Sequence, residues 1–373
     1  LTTRLDGIGN VFGRLEGTSQ SLSPVVVGSH LDSVPDGGRF DGSLGVVAAL
    51  EVAAVLRDHH HVTMHPIDIV SFACEESSRF GRGTLGSGLV AGIWDPQELL
   101  ELRDARGMRV RQVLQRVGLD PAQIATSRRA PGEFAAYLEV HIEQGRVLEE
   151  SGVQVGIVDV IAAPTRFRLH IIGRADHSGA TPMSLRYDAL AGAADVILAV
   201  EQSAKAVTGV VGTVGTVRVE PGAINVVPGR VELGIDIRAT DGMAKRSVVA
   251  DLQERIRHIT KSRDLSTSIE MLSDEEPVPM DLHVMALFER CCHTQHISFS
   301  RMPSGAGHDA MHMTRLCPSG MVLVPSREGI SHDAAEWTDL DDIVAGVQIL
   351  VDAALTIAEG QSLSTIHSVP GSH

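Results

Sequence analysis

Residues 24–42 read PVVVGSHLDSVPDGGRFDG, and this stretch decides the fold class. The apolar run at Pro24–Ser29 predicts a buried strand, which His30 and Asp32 follow directly. The next segment, Ser43–Arg57, carries apolar residues at helical spacing and predicts a helix. A buried strand followed by a helix is typical of α/β proteins with parallel strands.

The same alternation of apolar runs and helices continues along the chain. Further strands are predicted at Ile67–Cys74, Ala136–His141 and Gly320–Pro325, and a helix is predicted from Asp339 to about Glu359. We therefore predict an α/β fold whose mostly parallel sheet is covered by helices on both faces.

The middle of the chain has a different pattern. It predicts strands and helices in the order βαββαβ, namely Thr165–Gly173, Arg186–Val200, Val210–Val219, Arg230–Ala239, Lys245–Ile259 and Ser266–Leu272. That order is the ferredoxin-like pattern. We predict a catalytic domain made of residues 1–162 and 275–373, with residues 163–274 inserted as a separate domain. The Ser/Gly-rich tail from Gly360 to His373 is predicted to be loose.

Composition narrows the class of protein. A chain of 373 residues with 43% hydrophobic residues is long enough for two cores. Its formal net charge of −15 argues against nucleic-acid and anionic-membrane partners, because both would repel it. No apolar stretch approaches the length of a membrane span. The four cysteines show no disulfide or CxxC spacing, which predicts a reducing, cytoplasmic location.

Five segments supply candidate metal ligands, and each is predicted to lie at or just beyond the carboxyl end of a predicted strand. Open α/β sheets build their sites at this edge. The candidates are His30, Asp41, the pair Glu75–Glu76, His141 and His332. Asp32 follows His30 by two residues and is predicted to accept the second ring N–H of that histidine.

Each candidate taken alone has an ordinary structural explanation, such as a surface histidine or an aspartate in a turn. The adjacent carboxylates of Glu75 and Glu76 are the stronger signal, because they would repel each other at a strand end without a cation between them. Together the candidates predict a site of nitrogen and oxygen ligands that suits Zn, Mn, Co or Ni. Cys74 is predicted to pack in the core, with an oxidation-sensitive position beside the metals as the alternative.

Seven motifs carry a resemblance to a known family. They occur in the order GSHLDSVPDGGRFDG, ACEESSRFG, LEVHIEQG, ADHSGATPM, AINVVPG, SGAGHDAM and GISH. The chain resembles the hydantoinase/carbamoylase branch of the M20 metallopeptidase superfamily over about residues 5–355. That branch contains N-carbamoyl-L-amino-acid hydrolases, β-ureidopropionases and allantoate amidohydrolases.

The resemblance implies two divalent metal ions per subunit. One ion would be held by His30, Asp41 and His141, and the other by Asp41, Glu76 and His332, with Asp41 bridging. It also implies that Glu75 is the general base; the residues alone do not separate the roles of Glu75 and Glu76.

Substrate contacts are implied in the same way. His177 would reach the reacting carbonyl, and Asn225 and Arg238 would bind the substrate carboxylate, with Arg suited to gripping both oxygens. Gln144 and the Gly305–Gly307 loop would form pocket walls. We expect residues 163–274 to act as a lid and to form a homodimer, in which each His177 serves the partner's site.

The expected reaction is metal-dependent hydrolysis of the carbamoyl C–N bond of an N-carbamoyl-L-amino acid. Allantoate amidohydrolase and β-ureidopropionase are the nearest alternatives. An aminoacylase or dipeptidase of the same superfamily agrees less well with His141 and Gln144. A non-catalytic binding protein agrees least, because every ligand and Glu75 are present.

Overall fold

The computed structural model describes residues 1–363; the rest of the tail that was predicted to be loose lies outside the described residues. The chain divides into two compact units. Unit 1 comprises residues 1–159 and the chain from residue 279 onward, and unit 2 comprises residues 160–278. Unit 2 therefore contains the predicted insertion at 163–274 and extends a few residues beyond it at each end.

The elements are numbered in chain order. The strands are β1 Thr2–Leu5, β2 Val11–Leu15, β3 Val25–His30, β4 Ile67–Phe72, β5 Ala136–Ile142, β6 Val155–Ile161, β7 Ala163–Ile172, β8 Asp176–His177, β9 Val210–Glu220, β10 Val226–Val227, β11 Arg230–Ala239, β12 Ser266–Asp274, β13 Val278–Pro279, β14 Phe299–Ser304 and β15 Ser319–Val324. The α-helices are α1 Ser43–Asp58, α2 Leu85–Val90, α3 Pro96–Glu101, α4 Val110–Arg116, α5 Val147–Ser151, α6 Ala189–Lys205, α7 Gly242–Ser262, α8 Leu282–Gln295, α9 Ala310–Met313 and α10 Leu340–Ala358. Short 3-10 helices span Pro121–Ser127, Met183–Leu185 and Arg327–Gly329.

The sheet of unit 1 has a parallel centre. Its strand order is β1-β2-β4-β3-β5-β15-β6-β13, and β14 also pairs with β6. The strands β4, β3, β5 and β15 pair in parallel, whereas β1, β2 and β6 add antiparallel flanks. This arrangement confirms the predicted α/β class.

The central strands are buried along their whole length. Every residue of β3, β5 and β15 is buried, because helices including α1 and α10 pack against them. Strands covered on both faces read as continuous apolar runs, which is why the sequence predicted them. Since parallel strands end at the same edge, the residues after β3, β4 and β5 meet there.

One predicted strand boundary is wrong, and the reason bears on the site. The strand predicted to reach Cys74 ends at Phe72. Cys74 has a φ of 54°, a left-handed conformation that a strand does not accommodate. The chain therefore turns directly before Glu75 and Glu76.

Unit 2 has the predicted ferredoxin-like architecture. Its antiparallel sheet has the order β12-β7-β11-β9, and the chain order of its main elements is β7-α6-β9-β11-α7-β12. Side chains of β11 alternate between buried and partly exposed along the strand, and the buried ones pack against a core shared with α6 and α7. A short ribbon, β8 with β10, is an addition that the sequence did not predict.

The predicted helix at Arg186–Val200 begins later, at Ala189. Asp188 precedes it with an extended backbone and accepts hydrogen bonds from the N–H groups of Leu190 and Ala191. This side-chain cap defines the start of α6.

Two further predictions concern the whole chain. All four cysteines, Cys74, Cys291, Cys292 and Cys317, are unpaired. Within residues 1–363, no helix combines the length and the apolarity required to cross a membrane.

Candidate metal centre

Asp41 lies at the middle of the predicted ligands. Its Oδ1 is 3.6 Å from Nε2 of His30 and 3.3 Å from Nε2 of His141. Its Oδ2 is 3.2 Å from Nε2 of His332, which is in turn 3.4 Å from Oε1 of Glu76. Each oxygen of this carboxylate therefore faces a different set of ligands.

These residues form two groups that could each hold a cation. The first group is His30, Asp41 and His141, and the second group is Asp41, Glu76 and His332; within each, the ligand atoms lie within 4.8 Å of one another. Imidazole nitrogen and carboxylate oxygen are ligands of Zn, Mn, Co and Ni. The donor sets therefore fit divalent transition-metal ions, and Asp41 belongs to both.

The protonation of this centre shows how strongly charges interact there. Burial alone would raise the pKa of Asp41, but hydrogen bonds from His141 and His332 hold that pKa well below its usual range. The pKa of His141 is raised to about 9, because its bond to Asp41 outweighs the effect of burial. Bonds to Asp41 and Glu76 raise the pKa of His332 to about 10. Opposite charges a few ångströms apart thus dominate the titration of these groups.

A third group, Glu139, His141 and His308, also brings its ligand atoms within 4.8 Å of one another. It shares His141 with the first group. Both oxygens of Glu139 already accept hydrogen bonds, from Ser29, Tyr137 and the N–H of Ala310. Nε2 of His308 is 2.7 Å from the Ser304 hydroxyl. We therefore regard this group as a buried polar support beneath the first group.

Asp32 has a different contact from the one predicted. Nδ1 of His30 donates to the backbone carbonyl of Asp32 at 2.9 Å, whereas the Asp32 carboxylate is 3.8 Å away. That carboxylate accepts the N–H groups of Glu75 and Glu76, both at 3.1 Å. The prediction that the carboxylate orients His30 is therefore wrong, because the nearer backbone carbonyl takes the ring N–H.

Glu75 and Glu76 occupy different places. Glu76 belongs to the second group, whereas Glu75 belongs to neither and has its Oε2 3.7 Å from Nε2 of His30. Burial, followed by the nearby carboxylates of Asp309 and Glu76, raises the pKa of Glu75 well above its usual value. A carboxylate with a raised pKa beside a metal centre is suited to accepting a proton.

Burial also raises the pKa of the Cys74 thiol, to about 11. Little thiolate is therefore present at neutral pH, and the thiolate is the form that oxidants attack. The side chain packs against the buried apolar cluster around Phe80 and Leu85. These observations agree with a packing role for Cys74.

Gln144 contacts the centre directly. It has a φ of 59°, and its Nε2 donates to Oδ2 of Asp41 at 2.7 Å. The Gly305–Gly307 loop lies between β14 and His308, whose ring is 4.6 Å from the ring of His141. Both predicted pocket walls therefore belong to the surroundings of the ligand groups.

The other predicted substrate contacts lie in unit 2. His177 in β8 pairs with Val226 in β10, so that Asn225 directly precedes the residue opposite His177. Nδ1 of His177 accepts the N–H groups of Gly179 and Ala180, both at 3.1 Å. Arg238, near the end of β11, donates through Nε to the carboxylate of Asp236 at 3.1 Å. Asn225 thus lies next to the ribbon that contains His177, and its carbonyl accepts the N–H of Ser178 at 3.1 Å.

Two residues beside the centre were not predicted. Glu336 is only 1% exposed and accepts the N–H groups of Phe40 at 2.8 Å and Asp41 at 3.0 Å. The Ser331 hydroxyl is 2.9 Å from Glu336 Oε2 and 3.2 Å from Asp41 Oδ2. The only signal in the sequence was their position next to His332, which does not specify contacts with residues 40 and 41.

Comparisons with known proteins identify the family of the chain. Residues 26–356 match the family model for peptidase family M20/M25/M40. The chain is similar to an N-carbamoyl-L-amino acid amidohydrolase of Geobacillus stearothermophilus, with 43% identity over 95% of this chain and 87% of that protein. It is also similar to an allantoate amidohydrolase of Escherichia coli, with 34% identity over 94% of this chain and 85% of that protein.

A solved structure gives the same result. A hydantoinase/carbamoylase family amidase from Burkholderia multivorans superposes with a TM-score of 0.87 at 34% identity, covering 96% of this chain and 86% of that one. The match to the family model spans most of the chain, and several relatives exceed 30% identity over nearly all of it. The chain therefore belongs to peptidase family M20/M25/M40, in its hydantoinase/carbamoylase branch.

Proposed function

We propose that this amidohydrolase cleaves the carbamoyl C–N bond of N-carbamoyl-L-amino acids, using two divalent ions held by the first and second groups. The observation that carries the proposal is the position of Asp41, which turns one oxygen to each group beside the partly buried Glu75. The similarity to N-carbamoyl-L-amino acid amidohydrolases at 36% to 43% identity supports the substrate class.

The reaction consumes one water molecule and breaks one C–N bond. When bound, a pair of ions lowers the pKa of a water molecule and stabilises negative charge on the substrate oxygen. Glu75 accepts the proton of the attacking water and passes it to the leaving nitrogen. The products are the amino acid and a carbamate, which decomposes to CO2 and ammonia.

Residues of unit 2 complete the proposed site. His177 donates a hydrogen bond to the reacting carbonyl oxygen, where charge develops. Arg238 and Asn225 bind the substrate carboxylate, for which the planar guanidinium offers two parallel N–H groups. Gln144 holds the bridging carboxylate through its 2.7 Å bond to Asp41.

Two related activities would use the same residues. Allantoate carries a second ureido group, and relatives at 34% identity are allantoate amidohydrolases. N-carbamoyl-β-alanine differs from an N-carbamoyl-α-amino acid by one methylene, and such a difference changes binding by only about 1–3 kcal/mol. The metal groups and Glu75 are common to all three reactions, so that the substrate has to be identified by assay.

The test is ammonia release from N-carbamoyl-L-amino acids, N-carbamoyl-β-alanine and allantoate, together with release of the free amino acid from an N-acetyl-L-amino acid, whose hydrolysis yields acetate and no ammonia. Each is assayed with the chelated protein alone and with Mn, Co, Ni or Zn added. We expect the highest kcat/KM for an N-carbamoyl-L-amino acid, and only in the presence of metal. A higher value for allantoate or N-carbamoyl-β-alanine would contradict the substrate assignment. Ammonia release by metal-free protein would contradict the whole proposal.

We also propose that unit 2 forms a homodimer in which each His177 serves the partner's site. The edge strand β12 is exposed along almost its entire length. It presents Ile269, Met271 and Leu272 to the surface, at 41%, 48% and 48% exposure. An open apolar strand edge is suited to pairing with another chain.

Mixing two inactive chains tests this arrangement. Glu75→Gln lacks the base and His177→Ala lacks the histidine, and a mixed dimer regains one complete site if His177 acts on the partner. With random pairing, activity should recover to about a quarter of the wild-type value. No recovery after verified subunit exchange would contradict a shared site.

A further inference from the structure

We propose that Glu336 is a positioning residue that holds Asp41 and His332 at the separation the second group needs to bind its ion. This inference rests on the proposed two-ion function. It assigns a role to a buried side chain that is not itself a ligand.

The first link joins Glu336 to the segment that carries Asp41. Oε1 of Glu336 accepts the N–H of Phe40 at 2.8 Å and that of Asp41 at 3.0 Å. The turn also packs directly on this carboxyl group, since a Cβ built on Gly38 would lie 2.1 Å from Cδ of Glu336. The backbone of the bridging ligand is therefore held in place by one carboxylate.

The second link joins Glu336 to the segment that carries His332. Oε2 of Glu336 accepts the Ser331 hydroxyl at 2.9 Å, and Ser331 immediately precedes His332. The same hydroxyl is 3.2 Å from Oδ2 of Asp41, the oxygen that faces His332. Glu336 thus contacts the two segments that carry Asp41 and His332, the ligands of the second group that lie in loops.

His332 needs such support more than the other histidine ligands do. Its side chain is 51% exposed, and its φ of 57° places it in a left-handed backbone conformation. His30 and His141 are residues of buried strands and are positioned by the sheet. Removing the Glu336 carboxylate should therefore weaken the second group more than the first.

The alternative is that Glu336 stabilises only the fold of unit 1. Glu289 provides the matched control, because it is another buried glutamate of unit 1, with an ion pair to Arg301 and no contact described with either group. Glu289→Gln should lower the melting temperature and leave metal binding unchanged. A positioning role predicts a change in metal affinity that this control does not show.

The experiment measures Zn and Co binding to chelated wild type, Glu336→Ala, Glu336→Gln, Ser331→Ala and Glu289→Gln at buffered free-metal concentrations. The readouts are metal stoichiometry, the visible spectrum of bound Co and the melting temperature of the metal-free protein. Contacts that orient metal ligands are typically worth about tenfold to a hundredfold in affinity. We expect Glu336→Ala to lose about that much at the second ion, while the first ion binds within about threefold of wild type.

The affinity of Glu336→Gln and Ser331→Ala for the second ion should lie between those of wild type and Glu336→Ala. In Glu336→Gln the amide oxygen still accepts both backbone N–H groups, so that metal affinity is partly rescued relative to Glu336→Ala. Ser331→Ala should cost about tenfold at the second ion in wild type and nothing further when combined with Glu336→Ala.

Several results would overturn the inference. One is a Glu336→Ala protein that binds the second ion as tightly as wild type; another is a loss of both ions in proportion to the fall in melting temperature. If Glu336→Ala does not fold, wild-type affinity for the second ion in both Glu336→Gln and Ser331→Ala would overturn it equally. A wild-type protein that binds only one ion would instead refute the proposed two-ion function.

Discussion

The first and second groups share Asp41 but are built from different parts of the fold. His30 and His141 lie on β3 and β5 and are 2% and 1% exposed. In the second group the His332 side chain is 51% exposed and follows a 3-10 helix in a loop. The two histidines of the first group are therefore held by the buried sheet, whereas the histidine of the second group is held by contacts within a loop.

This difference predicts that the two groups hold their ions with different strength. A buried ligand set loses little entropy on binding an ion, because neighbouring side chains already hold it in place. A loop ligand can move, and its ion exchanges more readily with solvent. We expect the first group to retain its ion under conditions in which the second group releases its own.

The largest effect should separate the two adjacent glutamates. Glu75→Gln should lower kcat by about 10²–10⁴-fold and leave both ions bound, because an amide cannot accept the proton of water. Glu76→Gln should instead cost the ion of the second group. Turnover and metal content measured on the same samples check both expectations. The reverse pattern would show that the base and the ligand have been exchanged.

The next effect is a difference in affinity between the two ions. We expect a chelator to remove the ion of the second group at a lower concentration than the ion of the first group requires, because a loop ligand moves more readily than one in a buried strand. His332→Ala should retain one ion per subunit, whereas His141→Ala should disturb the first group. Metal analysis after dialysis against buffered chelator gives the two steps. Loss of both ions in one step would remove the distinction between the groups.

The smallest effect is a fall in the free energy of unfolding at acidic pH. It has to be distinguished from protonation of the metal ligands. Burial, followed by the charge of Arg315, lowers the pKa of His312 to about 4. The unfolded chain therefore binds a proton between about pH 6.5 and pH 4 that the folded chain excludes. Stability from this group is present above about pH 6.5 and is lost as the pH falls through that window. The loss at pH 5 amounts to about 2 kcal/mol.

Urea unfolding of chelated protein at pH 7 and pH 5 measures this loss. His312→Gln keeps a polar group near Thr84, whose hydroxyl lies 2.7 Å from Nε2 of His312, and should show a smaller difference between the two pH values. His59→Gln, at an exposed position, serves as the control. An unchanged pH difference in His312→Gln would assign the acid sensitivity to other groups.

The sequence predicted those parts of the molecule whose signals are local. The apolar run before His30 and the run around His141 are strands buried on both faces, and their ends place the ligands at one edge of the sheet. Strand β1 was missed because all its residues are exposed and show no apolar pattern. The separation of Glu75 from Glu76 depends on the turn at Cys74, for which a cysteine is no signal.

Contacts between distant segments of the chain have no local signal in the sequence and could not be predicted from it. Glu336 accepts the N–H of Asp41, which lies 295 positions away along the chain, and nothing around either residue indicates that pairing. The carboxylate of Asp32 was assigned to His30, its neighbour in sequence, whereas it accepts N–H groups at positions 75 and 76. Only the folded arrangement of β3 beside β4 brings those groups together.

Asp32 also limits how this chain can change in length. Its carbonyl orients the His30 ring and its carboxylate holds the turn at Glu75 and Glu76, so that a single residue aligns two strand ends. Leu31 between them is 57% exposed, and its side chain is open to substitution. An insertion or deletion between His30 and Asp32 would instead displace one of these contacts. In this segment the identity of the intervening residue can vary, whereas the number of residues cannot.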